Sequence, residues 1–109
     1  MPVSEDYLAF LTDQLIDWRD VSVRRMFGGA GLYVGGTMFG LVADDTLFLR
    51  VDDDSRPDYE REGCAPFRPF HDRKPMPYYE IPAHVLEDPT LLHAWADRAL
   101  QAARNRASP

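Results

Sequence analysis

Apolar residues recur at helical spacing near both ends of the chain and alternate with other residues between them. Leu8, Leu11, Leu15 and Trp18 follow one another at intervals of three, four and three, and Tyr7 widens the stripe. That rhythm predicts an amphipathic helix over 5–19 with a core-facing side. Ser4 is placed to cap it, and Glu5 and Asp6 fall in the first turn, where the helix dipole favours negative charge. Asp13, Gln14, Asp17 and Arg19 lie mostly off the stripe and form a solvated back. Near the other end, Asp88 is set to cap and Pro89 to open a second long helix. Its apolar face is Leu91, Leu92, Trp95, Ala99, Leu100 and Ala103, and the alanines permit a close approach to a sheet. Arg98, Arg104 and Arg106 follow toward its C-terminus, where the dipole favours cations. A brief helical piece from Pro82 to Leu86 precedes it, and the last three residues should fray. Trp18 and Trp95, one from each long helix, are expected in the core.

Between these helices the pattern changes to alternation. Strands are expected from Val21 to Phe27, Ala30 to Val34, Thr37 to Ala43 and Thr46 to Val51, with Gly28-Gly29 as the first break. Gly35-Gly36 and Asp44-Asp45 each leave two residues for a tight turn, so these strands form an antiparallel meander. Such turns need positive φ at both central residues, which glycine prefers and aspartate tolerates. The turns imply a register in which Val34 opposes Thr37, Leu32 opposes Phe39, and Ala30 opposes Leu41. Across the second turn, Ala43 opposes Thr46, Leu41 opposes Phe48, and Phe39 opposes Arg50. One sheet face then carries Leu32, Val34, Phe39, Leu41 and Phe48. The other carries Tyr33, Met38, Val42, Leu47, Leu49 and Val51. On that second face Gly31 opposes Gly40 and leaves a trough without side chains. Both faces are apolar, whereas a half-solvated sheet alternates apolar with polar. The helices are expected to cover one face and a second copy of the chain the other. Leu32, Phe39, Leu41 and Phe48 are the candidate interaction surface of a symmetric homodimer.

The segments between the meander and the last helix are irregular. Ser55 is a candidate cap for a short helix, with Pro57 in its first turn and Gly63 at its end. Asp52-Asp53-Asp54 lacks the alternating carboxylates, turn glycine and distal glutamate of a calcium loop, and reads as a solvated strand end. Five prolines fall within 64–82 and restrict strands there to short or edge positions. Phe67 and Phe70 are expected to plug the core, His71-Asp72-Arg73-Lys74 to form a polar hairpin tip, and Met76 to Ile81 to return extended.

Composition narrows the function. A chain of 109 residues with 45% hydrophobic residues builds one domain, 1–109, with a core that needs no disulfide. Twelve Lys and Arg against 18 Asp and Glu leave a net charge of −6, which repels phosphate backbones. Direct nucleic-acid binding is therefore not expected. Cys64 is the single cysteine, so neither an intramolecular disulfide nor a thiolate metal site can form. It is expected to act as a small buried hydrophobe. The acidic N-terminus does not resemble a signal peptide, and no apolar run approaches the roughly 20 residues of a membrane span. A cytoplasmic protein without a membrane partner is expected.

Chemistry-bearing motifs are sparse. His71, His84 and His93 are separated by 13 and 9 residues and match no short metal-ligand pattern. His93 and Asp97 sit at i, i+4 as a candidate surface pair. Cys64 and His71 could join as nucleophile and base only if the fold brought them together. The glycines lack the Lys-Ser/Thr and following helix of a phosphate loop. Arg24 and Arg25, on a strand, point to opposite faces. No catalytic, cofactor-binding or metal residues are therefore assigned, and a non-enzyme without a cofactor is expected. The alternative is a small-ligand or enzymatic site in the glycine trough, using Tyr33, His71 or Cys64.

The runs Arg24-Arg25-Met26-Phe27-Gly28-Gly29-Ala30-Gly31-Leu32-Tyr33, Phe39-Gly40-Leu41-Val42-Ala43-Asp44 and Leu47-Phe48-Leu49-Arg50-Val51 together resemble the N-terminal domain of the TfoX/Sxy family. The segment with Phe67 and Met76-Pro77-Tyr78-Tyr79 continues the match, as does Leu86-Glu87-Asp88-Pro89 with Trp95. The resemblance covers nearly the whole chain, and Asp45 departs from the glycine that the family often has in the second turn. It implies an α+β fold, an antiparallel sheet with helices packed around it, similar to secretion chaperones. It also implies a bacterial regulator of competence and transcription that works through protein–protein interaction with the transcription machinery, alongside the cyclic-AMP receptor protein. Full-length members carry a second, helical domain, so this chain resembles a stand-alone relative. The resemblance brings no catalytic residues with it.

Overall fold

The first helix, α1 (Glu5–Gln14), starts where its cap predicts. Ser4 Oγ accepts the Tyr7 N–H at 3.1 Å. In this computed structural model, which describes residues 4–26, 28–69 and 75–107, α1 stops sooner than the apolar rhythm suggests. Past Gln14 the hydrogen bonds shorten to i→i+3, as from Ile16 N–H to Asp13 and from Trp18 N–H to Leu15. Trp18 thus reaches the interior from a turn rather than from the helix stripe.

Five strands follow in one antiparallel sheet: β1 (Ser22–Met26), β2 (Gly29–Val34), β3 (Thr37–Ala43), β4 (Thr46–Arg50) and β5 (Tyr78–Glu80), lying side by side in that order. Both tight turns have the expected backbone. Gly35 and Gly36 take φ of 56° and 83°, and Asp44 and Asp45 take 54° and 51°. Left-handed backbone at a non-glycine residue costs about 1–2 kcal/mol. Asp45 offsets part of it by accepting the Ser4 N–H at 2.7 Å, which ties the start of α1 to the turn. On the far edge the proline-rich chain runs beside β5, with Glu80 N–H bonded to Ala65 and Phe67 N–H to Tyr78. This is the short edge ladder that the prolines allow.

Between β3 and β4, Ala43 opposes Thr46 and Leu41 opposes Phe48 as expected, but the ladder ends at Gly40 with Leu49 and Phe39 does not oppose Arg50. The register between β2 and β3 departs further. Val34 pairs with Thr37 and Tyr33 with Met38. Leu32 then pairs with Gly40, Gly31 with Leu41, and Ala30 with Val42. Phe39 is an extra residue on β3, a bulge that sets both Phe39 and Gly40 against Leu32. Because side chains alternate with period two, a one-residue slip exchanges the faces of everything beyond it. Three expectations are corrected. Leu32 does not oppose Phe39, Ala30 does not oppose Leu41, and Gly31 does not oppose Gly40, so the trough of paired glycines does not exist. Gly40 instead lies under Leu49, whose side chain would stand 3.1 Å from an added Cβ.

The helices α2 (Arg56–Arg61), α3 (Ala83–Leu86) and α4 (Pro89–Ala107) complete the described chain. Ser55 does not cap α2 as expected. The capping oxygen is Asp52 Oδ1, which accepts the N–H groups of Asp54 at 3.0 Å and Ser55 at 2.8 Å. Burial pushes the Asp52 carboxyl up, but its hydrogen bonds with Ser55 and Asp54 outweigh that and hold it below the ordinary range. Asp88 caps α4 as read, accepting the N–H groups of Thr90 and Leu91.

α1 and α4 lie on the same side of the sheet and touch each other. His93 Nε2 donates to the Gln14 carbonyl at 2.8 Å, and Trp18 Nε1 donates to Asp97 at 2.9 Å. Between them and the sheet sits one core. Leu8, Leu11 and Leu15 with Val85, Leu92 and Leu100 pack on Ala30, Leu32, Phe39, Val42, Leu47 and Leu49. The alanines Ala96 and Ala99 let α4 lie close across β3 and β4. Trp18 meets Phe39 edge-on at 5.1 Å and Trp95 meets Tyr59 at 4.8 Å. Both tryptophans pack at the rim of the core and remain partly exposed, and Leu91, read as core-facing, is 38% exposed. The fold is α+β, a five-stranded antiparallel sheet with every described helix on one face.

Candidate functional site

With the helices on one side, the opposite face of the sheet is the surface with the most unusual composition. Its residues follow from the observed pairing. Arg24 opposes Gly31, Gly31 opposes Leu41, Leu41 opposes Phe48, and Phe48 opposes Glu80. Directly opposed residues share a face, so these five make one row across all five strands. Toward one end of the strands the same face carries Tyr33 paired with Met38, and Arg50 paired with Tyr78.

The centre of the β1–β2 half is floored by Gly31. A Cβ built there would lie 2.9 Å from each of Met26 Cε, Met38 Sδ and Tyr33 Cε1. Two thioethers and a phenol ring therefore close over bare backbone, where an added side chain fits only if they move. The other half is aromatic, with Phe48 and Phe67 at 5.0 Å between ring centroids. Arginines lie on the rings. The Arg24 guanidinium is 5.6 Å from the centre of Tyr33 and that of Arg50 is 5.5 Å from Tyr78. Arg50 Nε is buried and has no hydrogen-bond partner in the structure. Tyr78 Oη donates to the Met38 carbonyl at 3.4 Å, so it ties β5 to β3 across β4. Burial pushes the Tyr78 phenol up, and Arg50 opposes that shift. Leu41 and Tyr78 are covered by these neighbours, at 7% and 3% exposure, while Met26, Tyr33, Met38, Phe48 and Phe67 stay partly open to solvent.

The four residues read from the sequence as one interaction surface do not stay together. The bulge turns Leu32 and Phe39 into the helix-covered core, both fully buried. Leu41 and Phe48 remain on the open face. Met26, Met38 and Arg50 were not singled out as site residues, Tyr33 was read only into the glycine trough, and Arg24 only as pointing away from Arg25. The available signal was Gly40, since a glycine inside a strand pattern marks a bulge.

The other candidates are scattered. Cys64 is half-buried against the core, and its thiol is pushed up by burial first and then by Glu80 and Glu62. That disfavours the thiolate a nucleophile needs. His71, with Phe70 and the rest of the expected hairpin tip through Lys74, lies outside the described residues, as does Phe27. His84 pairs with Glu62 at 3.2 Å. His93 does not pair with Asp97, which instead takes Trp18 and Arg19. Arg25 points to the helix side and meets Glu5 at 3.6 Å, opposite to Arg24 as expected. Among the described residues no three metal-ligating side chains gather, and no described helix is long and apolar enough to cross a membrane.

No curated protein matches the chain. A family model described as the TfoX N-terminal domain matches residues 13–103 of the 109. The match takes in all five strands, α2, α3 and most of α4, and so the whole of the open sheet face. This chain belongs to the TfoX N-terminal domain family.

Proposed function

We propose that this protein is a non-enzymatic regulatory module of the bacterial cytoplasm that acts by binding protein through the helix-free face of its sheet. The observation that carries this reading is the segregation of the helices. They seal one face with aliphatic side chains, while the other presents methionines, aromatic rings and arginines that are partly solvated. Those residue types are enriched where proteins meet. Methionine adapts its shape to a partner, and arginine stacked on tyrosine adds charge at low cost in side-chain freedom. Membership of the TfoX N-terminal family supports transcriptional regulation, including competence, as the setting for such contacts. The alternative, a ligand site in a glycine trough, loses its geometric basis with the register, since Gly31 and Gly40 belong to opposite faces.

The test is genetic. Met38 is replaced by Asp in the chromosomal gene, the purified variant is shown to melt like wild type, and transcript levels are compared with wild-type and deletion strains. The reading expects the Met38→Asp strain to match the deletion. A folded variant whose strain matches wild type would remove the sheet face from the function.

A further inference from the structure

The open face is complementary to itself, and we infer that its occupant is a second copy of this chain, docked about a two-fold axis that runs parallel to the strands over Leu41. The inference rests on the reading of this face as a protein-binding surface and names its partner. The argument begins with the row Arg24, Gly31, Leu41, Phe48, Glu80. Its two ends, roughly 19 Å apart at a strand spacing of about 4.8 Å, carry opposite charges. Its centre is apolar. Leu41 belongs to β3, the middle strand of five, so the row is centred on the sheet.

Two sheets can pack face to face about 10 Å apart with strands aligned to within about 30°. A two-fold along the strands then places β1 over β5 of the second copy, β2 over β4, and β3 over β3. Each position of the row meets its reverse. Arg24 faces Glu80 of the second copy, and Leu41 faces Leu41. The Gly31 site, roofed by Met26, Met38 and Tyr33, receives Phe48 and the Phe67 ring beside it. Sulfur against ring edges is a favourable contact. Along this row the pattern therefore agrees with itself in charge and in chemistry, the condition for an isologous interface, and in the next row Arg50 meets the Tyr33 ring of the second copy. The other face-to-face two-fold, running across the strands, would set β1 on β1 and bring Arg24 against Arg24. The charges on the row select between the two axes.

Arg24 and Glu80 are both exposed and stand at opposite edges of the sheet, so neither can pair with the other inside one chain. This makes charge reversal diagnostic. Sedimentation equilibrium on wild type should report twice the 12.5 kDa chain mass at micromolar concentration. Arg24→Glu and Glu80→Arg should each weaken the dimer by about tenfold or more, because each homodimer then sets like charges together twice. An equimolar mixture of the two variants should recover the wild-type affinity as a heterodimer, in which both pairs are again opposite in sign. The double variant should recover it too. A single 12.5 kDa species throughout the concentration range would overturn the inference. So would a dimer indifferent to both reversals, or single variants whose mixture stays as weak as either alone. If wild type is monomeric while the Met38→Asp strain still behaves as a deletion, self-association fails and the protein-binding reading stands.

Discussion

The two faces of this sheet are built from the same five strands, yet they obey different rules. The inner face, with Leu32, Phe39, Leu47 and Leu49 at full burial, is aliphatic apart from the rings of Phe39 and Tyr79 and is closed by α1 and α4. The outer face, with Met26, Tyr33, Met38 and Phe48 half-open, is soft, aromatic and crossed by two arginines. A close-packed interior penalises any change of volume. A surface of flexible methionines over a glycine floor tolerates change in the free protein and responds in the bound one. The contrast separates stability from function along a single strand. On β3, Phe39 belongs to the first and Met38 to the second.

Truncating each face is the strongest way to break this contrast. Phe39→Ala should cost about 3–5 kcal/mol in urea unfolding, since it empties a fully buried ring site that also supports Trp18. Met38→Ala, one residue away, should cost less than about 1.5 kcal/mol. Equal losses would show that both faces are core.

Glycine substitutions sharpen the same point. At Gly29 an added Cβ would lie 2.3 Å from the Val42 carbonyl oxygen, which is backbone and cannot step aside. Gly29→Ala should therefore destabilise by about 1–3 kcal/mol. At Gly31 the neighbours are the ends of flexible side chains. Gly31→Ala should fall below the Gly29→Ala loss in thermal melts while altering self-association. A Gly31→Ala variant as unstable as Gly29→Ala would mean that the side chains of Met26, Met38 and Tyr33 over Gly31 yield no more than the backbone over Gly29 does.

The smallest effect concerns a region outside both faces. The Asp52 carboxylate is held below its ordinary range, so its contribution is fully present above that range and fades as pH falls through the lower folded value. Asp52→Ala should cost about 0.5–2 kcal/mol near neutral pH, the range for a lost helix cap. The gap to wild type should close as pH falls below the ordinary carboxylate range. A gap that persists in acid would assign the loss to packing rather than to the carboxylate.

Much of this architecture was legible because it is written in local chemistry. Ser4 and Asp88 announce their helices, Gly35-Gly36 and Asp44-Asp45 announce their turns, and the prolines announce a short edge at β5. The bulge at Phe39 was not legible from turn counting, because a two-residue turn sets the first pairs and says nothing of an inserted residue four positions on. That one residue moved Leu32 and Phe39 into the core and abolished the expected trough. The open face, with its methionines and arginines, became visible only once the register was known. α1 ended early because Leu15 and Trp18 satisfy the apolar rhythm from a turn as well as from a helix.

The account stands on the outer face being the one that binds. Methyl NMR of Met26 and Met38, followed from high to low micromolar concentration beside the leucine methyls of Leu47 and Leu49, tests it most directly. The account predicts concentration-dependent shifts at both methionines and constant signals from the two leucines. Methionine signals that stay fixed while residues around the exposed Ile16 and Phe10 respond would contradict it, and would place the contact on the helix side.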